Sequence, residues 1–317
     1  MCDRKYAILG TGALGGFYGA KLQQAGLDVH FLLKSDYQHV SQCGLFVQSK
    51  DGDFTLHQVN AYHNVEQMPQ CDVVIVALKT TQNYLLPKLL PLIVKHSGVV
   101  LVLQNGLGIE EDIAQIVSNV HIIGGLCFLC SNKVGPGHIH HLDYGKITLA
   151  EYNPEYQPHL ITEKMEQIAH DFQTAGIPIE LVPDLLLARW QKLVWNIPYN
   201  GLSVILNATT EELMANADTR RLIEQLMNEV AAGAKSSGRI IPHSFIETML
   251  NYTVKMKPYR TSMKIDYDQR RPLEIEAIFA SPLKKSQTAG VNLPQISCLY
   301  HQLQFLDQRN RSAHPTP

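Results

Sequence analysis

The stretch Tyr6-Ala7-Ile8-Leu9-Gly10-Thr11-Gly12-Ala13-Leu14-Gly15 decides the reading of the fold. Tyr6 to Leu9 reads as a buried strand and residues 17–25 as the helix that follows, so a G-x-G-x-x-G pattern falls between strand and helix. Gly26 supplies a left-handed helix end, and residues 29–33 form the next strand of a βαβ unit. In that setting Gly10 makes the tight turn, Gly12 lacks the Cβ that would obstruct a pyrophosphate, and Gly15 lets helix and strand pack closely. With the N–H groups and positive partial charge of a helix N-terminus, the set Gly10, Thr11, Gly12, Ala13, Leu14 and Gly15 is a candidate dinucleotide cradle. The competing reading is a glycine-rich turn that merely tightens a βα corner, and the flanking strand and helix weigh against it.

Which dinucleotide fits is decided after the second strand, where an acid would take a ribose 2′-hydroxyl and a base a 2′-phosphate. The strand ends in Leu33-Lys34-Ser35, and Lys34 with a neighbouring hydroxyl suits NADP(H), although Asp36 stands close enough to oppose a phosphate.

Outward from this unit the apolar runs 72–78 and 99–103 read as strands buried on both faces, with 120–124 as another. Residues 126–130, 138–142 and 146–150 read as short strands joined by turns at Gly135-Pro136-Gly137 and Asp143-Tyr144-Gly145, an antiparallel patch capping the sheet. A helix at 160–175 and a strand at 177–182 complete this half, and Pro183-Asp184 marks a break. The expected architecture is α/β: a Rossmann-type doubly wound domain at 1–182, then a mainly helical domain at 183–317 with helices at 185–197, 219–237, 244–256, 273–280 and 295–307. Residues 309–317 lack apolar anchors and are expected to fray.

Composition narrows the function. The chain has 317 residues, enough for two domains, and its 45% apolar content excludes a disordered class. With 27 Lys and Arg against 29 Asp and Glu, no global field draws it to nucleic acid or to a membrane surface. Six irregularly spaced cysteines and a charged N-terminus without an apolar segment behind it point to a reducing, cytoplasmic setting. Cys127-Phe128-Leu129-Cys130, followed by His138, His140 and His141, invites a zinc reading. Strand residues three apart face opposite ways, however, so no metal is expected there.

Lys192, Asn196 and Asn200 fall at i, i+4 and i+8, one helical stripe drifting by about 80°. A lone helical lysine ordinarily only snorkels to solvent, but two amides on its stripe suggest a shared polar face. Pro198 is expected to kink or end the helix, which would put Asn200 on a new segment. Asn105, past a buried strand and before Gly106, reads either as a turn residue or as a group at the ligand-binding end of the sheet.

Gly10 to Gly16, Leu78-Lys79, Gln104-Asn105-Gly106, Trp190-Gln191-Lys192, Asn196, Asn200, Ser262-Met263 and Glu274-Ile275-Glu276 together resemble the ketopantoate reductase (2-dehydropantoate 2-reductase) family, in its order and over nearly the whole chain. The glycine-poor segment Lys257-Pro258-Tyr259-Arg260 departs from some members. The resemblance implies NADPH-dependent reduction of 2-dehydropantoate to pantoate. Hydride adds to the 2-oxo carbon, and the developing alkoxide needs a proton from a positioned acid, for which Lys192 is the counterpart. It further implies that Asn105 orients the lysine and meets the nicotinamide ribose, and that Lys79 faces cofactor or substrate. Asn196 and Asn200 would hold the substrate, Ser262 its carboxylate, and Glu274 its distal hydroxyl, with Glu274 also counted among the cofactor contacts. A reductase of another branched 2-oxo acid, or a non-catalytic NADP(H)-binding sensor, remains as an alternative; Lys192, Asn196 and Glu274 speak against the sensor. The expected partner is a small 2-oxo acid, and a homodimer is compatible with the sequence.

Overall fold

The computed structural model describes residues 4–256 and 260–312. The chain divides into two compact units, Met1–Gln104 with Ile109–Leu185, and Asn105–Gly108 with Leu186–Pro317. The first unit thus ends three residues past the expected boundary and yields the loop Asn105–Gly108 to the second.

The first unit is built on one sheet whose strands are β1 (Lys5–Leu9), β2 (Asp28–Leu32), β3 (Leu45–Ser49), β4 (Phe54–Leu56), β5 (Asn60–Tyr62), β6 (Cys71–Val76), β7 (Val94–Val102), β8 (His121–Gly135), β9 (His138–Glu151) and β10 (Ile179–Leu181). Their order is β4-β3-β9-β8-β7-β6-β1-β2-β5, with β10 also paired to β9. From β5 through β8 every pairing is parallel. The helix Ala13–Gln24 joins β1 to β2 as expected, and the core between helices and sheet is formed by Tyr6, Ile8, Phe31, Val73, Leu101 and their neighbours. The α/β class and the doubly wound arrangement therefore stand.

Two expectations in this unit need correction. Residues 120–124 and 126–130 are one strand, β8, and the expected antiparallel cap is the continuation of the main sheet through the long β8–β9 pairing. Gly124 and Gly125 do not break the strand because they serve close packing: a Cβ would stand 2.4 Å from Leu185 Cδ1 at the first and 2.4 Å from Leu103 Cδ2 at the second. Asp143-Tyr144-Gly145 is likewise no hairpin turn. It lies inside β9 at a register shift, where Tyr144 (φ 61°) and Gly145 (φ 144°) absorb the irregularity. Cys127 and Cys130 are buried on β8 and form no disulfide, and His141 is held by Ser49 Oγ (2.8 Å) and the Tyr144 carbonyl (2.7 Å).

The second unit is helical: Leu185–Ile205, Thr210–Ala215, Ala217–Ser236, His243–Lys255, Ser262–Asp268, Ser281–Thr288 and Pro294–Ser312, with a π-helical turn at Glu276–Ala280 entering the penultimate one. The helix expected to stop near Ile197 runs on through Pro198 to Ile205. Proline inside a helix forfeits one hydrogen bond and costs about 3 kcal/mol. Leu193, Val194, Ile197 and Tyr199 are fully buried around it, each contributing roughly 1.5–3 kcal/mol for an apolar side chain, so packing outweighs the break. Small residues let the neighbours approach: a Cβ at Gly201 would meet Leu299 at 2.5 Å, and one at Gly233 would meet Trp190 at 2.8 Å. The expected frayed tail is helical as far as Ser312, and residues 313–317, like 257–259, lie outside the described residues. No described helix is long and apolar enough to cross a membrane.

Candidate active site

The glycine turn follows β1 and opens the Ala13–Gln24 helix. Gly10 takes φ +99°, and a Cβ there would lie 2.5 Å from Leu78 N and 2.6 Å from Ala77 C, so the turn closes against the exit of β6. A Cβ at Gly15 would strike the Gly10 carbonyl oxygen at 2.3 Å. Gly12 differs from both, because a Cβ built on it meets nothing within 4 Å. Its lack of a side chain answers no neighbour among the described residues and leaves open space at the helix start. The helical ladder begins with Gly16 N–H donating to the Gly12 carbonyl at 2.8 Å, so the N–H groups of Ala13, Leu14 and Gly15 precede it. Thr11 Oγ1 donates to the Leu32 carbonyl at 3.2 Å and ties the turn to the end of β2. Open space before a helix N-terminus suits a pyrophosphate.

Lys34 is exposed just beyond β2, whereas Asp36 is buried. The Asp36 carboxylate is buried, pairs with Lys133 Nζ at 2.6 Å, and accepts from Gly137 N–H (2.9 Å) and Ser35 Oγ (3.0 Å). Burial opposes its ionisation, but Lys133, the Gly137 amide and Ser35 outweigh this and hold its carboxyl below the usual carboxylate range. Asp36 therefore anchors the β8–β9 hairpin. Lys79, half-buried, opens the 3₁₀ turn Thr80–Leu85. Gln104 Nε2 donates to the Leu78 carbonyl and to Asn83 Oδ1, each at 2.7 Å, which stitches the exits of β6 and β7 together.

In the second unit, continuation of the Leu185–Ile205 helix keeps Lys192, Asn196 and Asn200 on one stripe. Asn196 and Asn200 are 3% and 2% exposed, whereas Lys192 is half-buried. Asn196 Nδ2 donates to Asn105 Oδ1 at 3.3 Å, so two of the expected residues meet although 91 positions separate them. Asn200 Oδ1 is buried and, among the described residues, has no hydrogen-bond partner. An acceptor in that state is a liability in a core and an asset in a binding site.

Asn105 owes its place to a contact the sequence did not announce. Gly106 (φ +115°) lies so close to Ala277 that a Cβ would come within 2.6 Å of the Ala277 carbonyl oxygen. Leu107 N–H donates to that same oxygen at 2.9 Å. Ala277 sits in the π turn, whose wider i to i+5 spacing displaces the ladder and frees a carbonyl for an outside donor. Glu274, 5% exposed, stands two residues before this turn, and its backbone carbonyl accepts from Ile278 N–H within it. The same turn thereby holds the Asn105 loop through Ala277 and the Glu274 carbonyl through Ile278. Ser262 begins the Ser262–Asp268 helix behind the N-cap Thr261, whose Oγ1 accepts from Lys264 N–H at 3.2 Å. Thr261 escaped the sequence reading, although a threonine before a helix start is a capping signal.

The expected residues thus fall into two groups. Gly10 to Gly15, Lys34 and Lys79 belong to the first unit; Asn105, Lys192, Asn196, Asn200, Ser262 and Glu274 belong to the second.

The Ketopantoate reductase PanE/ApbA family description matches residues 6–154, and its C-terminal counterpart matches 184–307. A relative from Nostoc sp. strain PCC 7120, named 2-dehydropantoate 2-reductase, is 74% identical over 316 residues, covering 100% of this chain and 99% of that protein. The crystal structure of 2-dehydropantoate 2-reductase from Geobacter metallireducens GS-15 superposes with a TM-score of 0.91 at 42% identity, over 95% of this chain and 99% of that one. A ternary structure of D-mandelate dehydrogenase with NADH and anilino(oxo)acetate shares the fold at 20% identity, with a TM-score of 0.86 over 97% of this chain and 99% of that one. A glycine turn open at Gly12, a helix that carries its amides unbroken past Pro198, and likeness along the full length together make this chain a member of the ketopantoate reductase family of oxidoreductases.

Proposed function

We propose that the chain reduces 2-dehydropantoate to pantoate with NADPH, with Lys192 as the general acid. The observation that carries this reading is the uninterrupted helix that puts a lysine and two buried amides on one stripe, one amide bonded to Asn105 and the other with an unpartnered acceptor. The name of the 74% identical relative supports the choice of substrate.

Bound at the glycine turn, the reduced nicotinamide would supply the hydride. The Lys192 ammonium donates a proton to the alkoxide that develops at C2 and stabilises its charge beforehand. Asn105, braced by Asn196, sets the orientation of the groups around the lysine. Asn200 Oδ1 requires a hydrogen-bond donor, and a substrate hydroxyl offers one where a carboxylate cannot. That hydroxyl has one proton, which Asn200 Oδ1 and Glu274 share between them, and Ser262 supplies a donor for the carboxylate. Lys34 would hold the 2′-phosphate of NADPH, with Asp36 already committed to Lys133 and Gly137.

The test is NADPH oxidation against a panel of 2-oxo acids. A branched acid lacking the hydroxyl leaves a buried acceptor unpaired, so 2-dehydropantoate should exceed 2-oxoisovalerate in kcat/KM by about 100-fold or more. Equal values would favour a reductase of other branched 2-oxo acids, and no turnover with any would favour a nucleotide-binding sensor. Homodimer formation belongs to the same reading: Ile240, Val254 and Phe305 of the second unit are exposed apolar side chains, and sedimentation of the purified chain checks it.

A further inference from the structure

We propose that Ser203 and Thr261 form a buried hydroxyl bridge that positions Asn200 and Ser262, which makes both of them positioning residues for the reduction. The proposal rests on the assignment of Asn200 and Ser262 to the substrate.

Ser203 lies three residues after Asn200 on the long helix, and its Oγ donates to the Asn200 backbone carbonyl at 3.1 Å. The same Oγ is 2.8 Å from Thr261 Oγ1. A serine hydroxyl has one proton. With that proton committed to the Asn200 carbonyl, Thr261 must be the donor between the two hydroxyls. Thr261 Oγ1 in turn accepts from Lys264 N–H. A directed chain results, from the Lys264 amide through Thr261 and Ser203 to the carbonyl of Asn200. Each hydroxyl gives once and receives once.

Both residues are fully buried, so water cannot replace either hydroxyl. The bridge spans 58 positions of sequence and joins the helix that bears Asn200 to the residue next to Ser262. A shift of the Thr261 cap would move Ser262 relative to Asn200, and the two contacts assigned to opposite ends of the substrate would lose register. Lys192 lies two turns upstream and is not part of the chain, so the expected effect falls on substrate binding rather than on proton transfer.

Steady-state kinetics on the full chain tests this. Ser203→Ala should raise KM for 2-dehydropantoate about tenfold with kcat within about threefold and NADPH affinity unchanged. Thr261→Val, which keeps the packing volume, should do the same, and the double variant should be no worse than the poorer single by more than about twofold, because both remove one bridge. Thr261→Ser, which keeps the hydroxyl, should restore KM. A purely structural pillar would lower Tm and leave KM alone, and that result would overturn the proposal; so would additive effects in the double variant. If Ser203→Ala does not fold, Thr261→Val and its serine rescue decide by the same readout. Asn200→Ala and Ser262→Ala are run in parallel. If they raise KM while the bridge variants do not, the bridge alone fails; if they too leave KM unchanged, the substrate assignment fails and takes the bridge with it.

Discussion

Gly10 and Gly106 each follow a strand of the sheet, each has positive φ, and at each a Cβ would strike backbone at 2.6 Å or less. Gly10 closes on Ala77 and Leu78 within its own unit, at the exit of the neighbouring strand. Gly106 closes on Ala277, in a π turn of the second unit. The same local device therefore does two jobs: one glycine closes a turn against the exit of the neighbouring strand, and the other docks a loop carrying Asn105 onto a helix far away in sequence. A glycine after a strand announces a turn, but its contact partner determines what the turn is for.

The sharpest division between the two regions comes from Lys192→Ala. This variant should lower kcat by about 100-fold or more, while NADPH affinity, which the proposal assigns to the first unit, stays within about twofold by fluorescence titration. A parallel loss of NADPH binding would erase the separation. Next come two glycine substitutions with opposite signatures. Gly106→Ala forces a side chain into the left-handed region and against Ala277, and should destabilise the protein by about 1–3 kcal/mol in thermal or denaturant melts. Gly12→Ala meets no protein atom and should leave Tm unchanged, yet weaken NADPH about tenfold or more by occupying the open space. Matching melting curves for the two would refute the contrast.

Smaller effects lie at the edge of the cradle. Lys34→Ala should weaken NADPH about tenfold and NADH hardly at all, as expected for one charge-assisted contact to a phosphate; NADH binding as tightly as NADPH in the parent chain would remove the premise. Asp36→Asn should lower stability by roughly 1 kcal/mol at neutral pH, after allowance for solvent screening. Because the folded-state pKa of Asp36 is depressed, its contribution is present above the unfolded value of about 3.9 and vanishes as pH falls through the folded value. Parent and variant should converge in acid, and denaturant melts at stepped pH read this directly.

The glycine turn, the strands around it and the helical character of the second half were legible because each rests on a short-range rule. A strand needs a run of apolar residues, a helix needs its period, and a phosphate cradle needs glycines at fixed offsets. The stripe Lys192, Asn196 and Asn200 was legible as spacing. Its survival past Pro198 was not, because a local penalty was set against burial that depends on partners elsewhere, such as Leu299 against Gly201. The division of β8 into strands at 120–124 and 126–130 failed in the same way, because Gly124 and Gly125 are clearance for Leu185 and Leu103.

The order of elements, the glycine turn between β1 and its helix and the spacing of Lys192, Asn196 and Asn200 follow from the chain alone, since backbone geometry and helical period act over a few residues. The joining of Asn105 to Asn196, the seating of Gly106 on Ala277 and the bridge from Ser203 to Thr261 exist only in the folded molecule. Each joins segments dozens of residues or more apart. No local rule specifies such a pair, because a buried hydroxyl or amide is satisfied by whichever partner the packing of the whole unit delivers to it.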